Sequence, residues 1–152
     1  MFLKLQPVDS RETFCLFNVY VPTNIGEKWE CWDSVRHLLE SENSKNIIIV
    51  GDLNLTLRME ENRGGTIVRD PAREWVEDLM QDWDLLDITS KNGKYTWSNK
   101  RIGPGHIAAR LDRCLVQSYF LLLGLESRLH ILPCSVSDHK PIMLEKIGRA
   151  HV

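Results

Sequence analysis

Apolar positions along the chain change period several times, and each change marks an element. The stretch TFCLFNVYVP is rich in Phe, Val and Tyr and stops at Pro22, the pattern of a strand running into a loop. From Asn24 the period lengthens. Trp29, Trp32, Val35, Leu38 and Leu39 recur at helical spacing, with Asn24 as cap and Glu27 three positions on. After the polar break SENSKN, the β-branched run Ile47, Ile48, Ile49 and Val50 predicts a short strand buried on both faces. Strand, helix and strand in succession imply that the first and third share one sheet, with the helix packed on its face.

Gly51 is expected to interrupt that strand. Alternation then puts Asp52 and Asn54 on one side, and Leu53 and Leu55 on the other, so two oxygen-bearing side chains share one edge. RMEENRGGTIVRD reads as a long loop. A second helix is signalled by Asp70 as cap and Pro71 at its first position, with Ala72, Trp75, Val76, Leu79, Met80 and Trp83 forming one core-facing stripe. KYTWSN predicts a short strand, NKRIGPGH a mobile basic loop, and ARLDRCLV an alternating strand. SRLHILPCSV and KPIMLEK predict a strand pair joined by a tight turn at SDH, with Pro141 at a strand start or on an edge. The expected fold class is an α/β layered domain, strand-rich towards its end. The chain opens on a strand-like segment with no unit before it and closes on IGRAHV, which continues no pattern; a fragment is expected.

Composition alters this picture little. The 152 residues suit one domain, and 43% hydrophobic with 26% charged residues is ordinary globular composition. With 19 basic and 21 acidic residues the formal charge is −2, so any phosphate affinity must be local rather than a property of the whole surface. Cys15, Cys31, Cys114 and Cys134 form no CxxC pair and read as reduced, buried thiols. No apolar run reaches the roughly 20 residues of a membrane helix, and the first ten residues lack a signal-peptide core. A soluble intracellular chain with no membrane partner is expected.

Three places carry candidate chemistry. Asp52 and Asn54 at a strand end could bind a cation, although both residue types also favour strand exits because they hydrogen-bond turning backbone. In SVSDHKP, Asp138 could hold a hard cation while His139 faces a phosphate. In ARLDRCL, Asp112 lies in an apolar strand, on the face predicted to carry Arg110 and Cys114. A buried carboxylate needs a partner, and His139 and Arg110 are the two candidates.

The motifs NVYVPTN, VGDLN, RLDRCLV and VSDHKPI stand in the order and approximate spacing of the endonuclease/exonuclease/phosphatase superfamily, which the chain resembles over residues of about 13 to 145. Within it, GDLNLTLRMEENRGG, WDLLDI followed by GKYTWSN, and AARLDRCLV look most like the endonuclease domain of plant LINE-type (non-LTR) retroelements. The resemblance implies a four-layer α/β sandwich, mixed sheets flanked by helices, with the site at one rim. It also implies Mg²⁺-assisted phosphodiester hydrolysis, with Mn²⁺ as the alternative ion, acting on DNA. By that resemblance Asp52 is the base or aligner of the attacking water, and Asn54 holds phosphate or a metal water. His139 donates to a phosphoryl oxygen, Asp112 fixes its ring, and Tyr20 reaches a phosphate oxygen. Asp52, Asn54 and Asp138 form the metal set, with Asn24, Lys100 and Arg101 as phosphate or nucleic-acid contacts; His106 joins that basic loop. An intact element would add a reverse transcriptase and act on nuclear DNA, although no basic cluster reads as an import signal.

The family's catalytic set begins upstream of the Tyr motif, with an asparagine and a metal-binding glutamate on earlier strands, and neither precedes Phe14. Asp9 and Glu12 stand just before the NVYVP strand and receive no role. Residues 1–146 are therefore expected to form a partial, incomplete four-layer sandwich, with 147–152 a non-matching tail. Uncovered sheet surface and weak metal affinity would make the chain unstable and catalytically feeble by itself. Two rival functions stand beside this one: a phosphatase of the same superfamily, and a noncatalytic remnant or nucleic-acid-binding module.

Overall fold

The computed structural model describes residues 1–8, 11–42, 46–122 and 126–147, with the side chain of Ile147 excepted; Asp9 and the tail beyond Ile147 lie outside the described residues. Strand β1 (Phe2–Leu5) is followed by β2 (Phe14–Tyr20), helix α1 (Ile25–Glu42) and β3 (Ile47–Asp52). A 3₁₀ turn at Met59–Glu61 leads to β4 (Asn62–Arg63), α2 (Ala72–Asp82) and β5 (Leu85–Asp87). Then come β6 (Trp97–Ser98), β7 (Ala108–Ala109), β8 (Asp112–Gln117), the short α3 (Tyr119–Leu122), β9 (Glu126–Ile131) and β10 (Ile142–Ile147).

The main sheet has the order β1-β2-β3-β8-β5, in which only β2 and β3 are parallel. That parallel pair with α1 as its crossover is the unit expected from the sequence, because parallel neighbours need a long connection and α1 supplies it. Odd-numbered positions of β2, β3 and β8, among them Cys15, Phe17, Ile47, Ile49 and Leu115, face the helices and join Trp32, Val35, Leu39, Val76 and Leu79 in the larger core. Even-numbered positions, including Phe14, Ile48, Cys114 and Val116, meet Leu129 of β9, with Leu16, Val50, Ile142 and Leu144 packed against them. Helices, main sheet and the β9–β10 pair thus make three layers. β4, β7 and β6 form a small sheet beside them.

The two-stranded β9–β10 sheet covers the even face only in part. An open apolar cleft of 370 Å³ remains, lined by residues that include Leu16, Ile48, Val50, Cys114 and Leu144, with Lys146 stacked 4.2 Å over the Phe14 ring at its mouth. Burial raises the Cys114 thiol to about 12, so it behaves as an apolar group. No helix among the described residues is long and apolar enough to cross a membrane.

Several local expectations are corrected. Gly51 does not interrupt β3, which continues to Asp52; with φ +136°, and with Val19 O only 2.0 Å from where a Cβ would sit, the position admits glycine alone. The buried face of α1 carries Lys28, Trp32, Val35 and Leu39, whereas Trp29 and Leu38 are exposed. Asn24 caps α1 as expected, its Oδ1 accepting from Gly26 N at 2.9 Å. α2 starts one residue later than expected, with Pro71 before it and Asp70 Oδ1 accepting from Ala72 N. β9 and β10 are joined by residues 132–141 instead of a tight turn, because His139 bridges to Trp97 and Lys140 N donates to Thr96 O at 2.7 Å. All four cysteines are free, but Cys31 and Cys134 are only half-buried.

Candidate active site

Strand register creates the site. Tyr20 pairs with Asp52, and Asp52 pairs with Asp112, so three side chains stand in one row across β2, β3 and β8 on the even face. The row lies at the rim, where the apolar part of that face ends. His139 approaches from the 132–141 connection, which β6 holds through the Trp97 bridge.

The imidazole lies between two acids. Its Nδ1 is 2.9 Å from Asp112 Oδ2 and its Nε2 is 3.7 Å from Asp52 Oδ2. Arg110, the other candidate partner of Asp112, is engaged elsewhere; it precedes β8, so strand alternation does not bring it to the face of Asp112. Partial burial pulls the His139 pKa down, but the hydrogen bond and charge of Asp112, aided by Asp52 and Asp138, outweigh it and hold the ring above its ordinary value. Burial raises the Asp52 carboxyl, and the like charge of Asp112 adds to this; the Asn54 amide, His139 and Lys28 oppose it.

Asn54 does not continue the strand. It takes φ +51°, donates its backbone N–H to Asp52 Oδ1 at 2.8 Å, and donates Nδ2 to Val21 O at 2.8 Å. The carboxamide is therefore placed by a left-handed turn, and Asp52 keeps Oδ2 for the site. Asp138 is exposed and turned aside, with Oδ2 accepting from Trp97 Nε1 at 3.0 Å, a hydrogen bond that lowers its pKa. Tyr20 is 73% exposed at the end of its row. Asn24 is exposed and uses its side-chain carbonyl oxygen as a helix cap. Lys100 and Arg101 are exposed on the loop that leaves β6, and Asn99 braces that loop through Arg101 N, Ile107 N and Gly105 O. Glu12 sits at the other end of β2 from Tyr20, where it accepts from Asn46.

Sequence reasoning missed two supports. Thr96, 1% exposed, accepts through Oγ1 from both Leu111 N and Asp112 N, setting the start of β8; nothing but its place in KYTWSN hinted at this. Lys28, 3% exposed, is the other, hidden because lysine breaks the apolar stripe of α1.

Asp52, Asp112 and His139 each offer a ligand atom, all within 4.8 Å of one another. The donor set suits an oxygen-seeking divalent ion in part: Asp52 Oδ2 and the side-chain Oδ1 of Asn54 have no other partner among the described residues within hydrogen-bonding distance, while Asp112 spends one oxygen on His139.

Asp112→Asn is expected to lower the His139 pKa towards its ordinary 6.5, read by NMR titration of the ring. Because the folded pKa lies above the unfolded one, the pair's contribution to stability is complete below about pH 6.5 and fades as pH rises through the folded value. An unchanged titration in Asp112→Asn would show that the 2.9 Å contact carries no charge coupling.

No family model matches the chain. It is 27% identical over 146 residues to an uncharacterized 149 kDa protein of transposon TX1 from Xenopus laevis, covering 93% of this chain and 11% of that protein. Among solved structures, it is similar to the endonuclease domain of TRAS1, a telomere-specific non-LTR retrotransposon, at a TM-score of 0.68 and 14% identity, over 98% of this chain and 64% of that one. An endonuclease/exonuclease/phosphatase family protein from Bacteroides thetaiotaomicron matches at a TM-score of 0.57 and 16% identity, over 94% of this chain and 53% of that one. The chain has the endonuclease/exonuclease/phosphatase fold. The superfamily resemblance of the motifs is thus borne out at the level of the fold, with a transposon protein as sequence relative and a retrotransposon domain as structural neighbour. The chain spans about a tenth of the curated relative and 64% of the TRAS1 domain.

Proposed function

We propose that this chain is part of a divalent-metal-dependent phosphodiesterase of a retroelement, acting on DNA. The observation that carries the reading is the placement of His139 between Asp112 at 2.9 Å and Asp52 at 3.7 Å, at the rim of this fold. Donation from Nδ1 to Asp112 fixes the ring and turns Nε2 towards the space beside Asp52, where it meets a phosphoryl oxygen as charge develops. Asp52, held through Oδ1, presents Oδ2 to the attacking water; burial brings its pKa upward, towards what a base requires. Tyr20 holds a non-bridging oxygen, with Asn24, Lys100 and Arg101 along the flanking backbone, while Asn54, whose Nδ2 is spent on Val21 O, turns its amide oxygen to the cation or its water. Asp52 and Asn54 would hold Mg²⁺ or Mn²⁺, with Asp138 acting through a water; such an ion neutralises phosphate charge and lowers the pKa of its bound water.

The chain by itself should be a feeble catalyst. The cluster supplies only two carboxylates, one already tied to the imidazole, and Mg²⁺ prefers six oxygen ligands. Nicking of supercoiled plasmid DNA with Mg²⁺ or Mn²⁺, against an EDTA control and beside phosphate release from inositol phosphates, tests the reading. Slow, metal-dependent nicking without phosphate release is the expected result. Preferential phosphate release would make it a phosphatase, and DNA binding without turnover a binding module.

A further inference from the structure

Lys28 is the one lysine among the described residues of the core that is almost fully buried, at 3% exposed. A buried ammonium is rare and costly unless its donors are used. Here Nζ pairs with Asp70, at the start of α2, and donates to the backbone carbonyl of Asn54 at 2.8 Å. Asp70 is itself fixed, its other oxygen accepting from Ala72 N at 2.9 Å. The cation thus ties α1 and the beginning of α2 to the turn that follows β3.

Asn54 is what makes this tie more than a packing contact. Its φ of +51° belongs to the left-handed region that L side chains avoid, asparagine less than most. Three hydrogen bonds hold it there: its N–H to Asp52 Oδ1, its Nδ2 to Val21 O, and its carbonyl oxygen from Lys28. The first two are made by the site's own side chains, which must also meet substrate. The third comes from beneath and involves no group of the site except a backbone oxygen. We propose that Lys28 is a positioning residue that locks the left-handed turn of Asn54 and so aims its carboxamide oxygen into the site.

The proposal rests on the phosphodiesterase reading only for the use to which that oxygen is put; the locking itself stands on the hydrogen bonds. Without the ammonium, the Asn54 carbonyl loses its donor, the turn relaxes and Nδ2 leaves Val21. Asp52 then loses the neighbouring N–H that holds Oδ1.

The test is Lys28→Met combined with Asp70→Asn, which removes the pair without leaving a lone carboxylate. Hydrogen-exchange protection of the Asn54 side-chain amide, followed by NMR, is expected to fall by about tenfold, the loss of one hydrogen bond. Backbone amides of residues 47–50 in β3 and of β8 should keep their protection, which a general loosening of the fold would not allow. Asp70→Asn alone keeps the Lys28 donor and should leave Asn54 protected. A folded double variant with Asn54 exchange and shifts unchanged would overturn the proposal. So would a wild-type chain in which the Lys28 ammonium shows no slow exchange and no cross-relaxation to Asn54, a measurement that needs no variant. If the wild type nicks DNA, the double variant should lose about tenfold in kcat with little change in KM. A wild type that does not nick would sink the functional reading while the Asn54 signals still decide this one.

Discussion

Arg113→Met should lower the unfolding free energy by about 3–5 kcal/mol, a large part of the 5–15 kcal/mol typical of a domain. Arg113 is fully buried on the helix-facing side of β8 and lies inside an ionic quartet. It pairs with Glu61 and donates to Asp87 Oδ2 at 2.7 Å, while Arg110 binds Asp87 at 2.6 Å and Glu61 at 3.1 Å. Burial would raise the Glu61 carboxyl, yet the hydrogen bond and charge of Arg113, with N–H donors from Leu57 and Arg58, hold it below the usual range. Removing one arginine leaves charge uncompensated inside the protein, and that penalty, more than the lost attraction, sets the size of the effect. Urea unfolding followed by tryptophan fluorescence measures it; a loss under about 1 kcal/mol would put the quartet in the class of surface pairs.

The quartet also has a geometric consequence. Glu61 ends the segment that follows Asn54, and Arg110 and Arg113 flank Asp112, so the four charges hold the loop after β3 against the start of β8. A chain that survives Arg113→Met should therefore show a disturbed site as well as a weaker core.

His139→Ala is expected to reduce the nicking rate by about 10²–10³, equal to about 3–4 kcal/mol of transition-state stabilisation, while DNA binding is largely kept. Single-turnover nicking set beside a binding titration separates the two. Kept binding is what the proposed function implies, since it gives the exposed Lys100 and Arg101, and not the imidazole, the flanking phosphates. Equal losses in rate and binding would show His139 to be a ground-state contact, and no loss of rate would remove it from the chemistry. Asp112→Asn should lie between the wild type and His139→Ala, because the ring remains but its orientation and charge are less well held.

Much of this arrangement was legible in the chain. The strand, helix, strand unit up to Val50, the capped start of α1, the stripe of α2 and the β9–β10 pair all follow from local period and turn chemistry, which act over a few residues. The errors fell where local rules compete with distant ones. Gly51 reads as a breaker, yet the same freedom in φ lets β3 approach Val19 closely and continue. Lys28 carries no signal in the apolar stripe of α1, yet an accepting carbonyl and an acid from elsewhere in the chain make its burial tolerable. The SDH turn reads as tight, but bonding of His139 and Lys140 to the β6 segment draws the connection out to ten residues, 132–141.

The sequence by itself determined most of the longer elements, their order and the candidate residues for phosphate chemistry, because side-chain period, caps and motifs are properties of short stretches; β1, β5 and α3 are too short to carry such a period. Only the tertiary structure decided the partners. Asp112 meets His139, 27 residues away, while Arg110 turns to Glu61 and Asp87. Tyr20, Asp52 and Asp112 stand in one row solely through the register of three strands. The physical reason is that backbone pairing across strands sets which charges come within reach, and a buried charge then takes the partner that register and loop path have placed beside it.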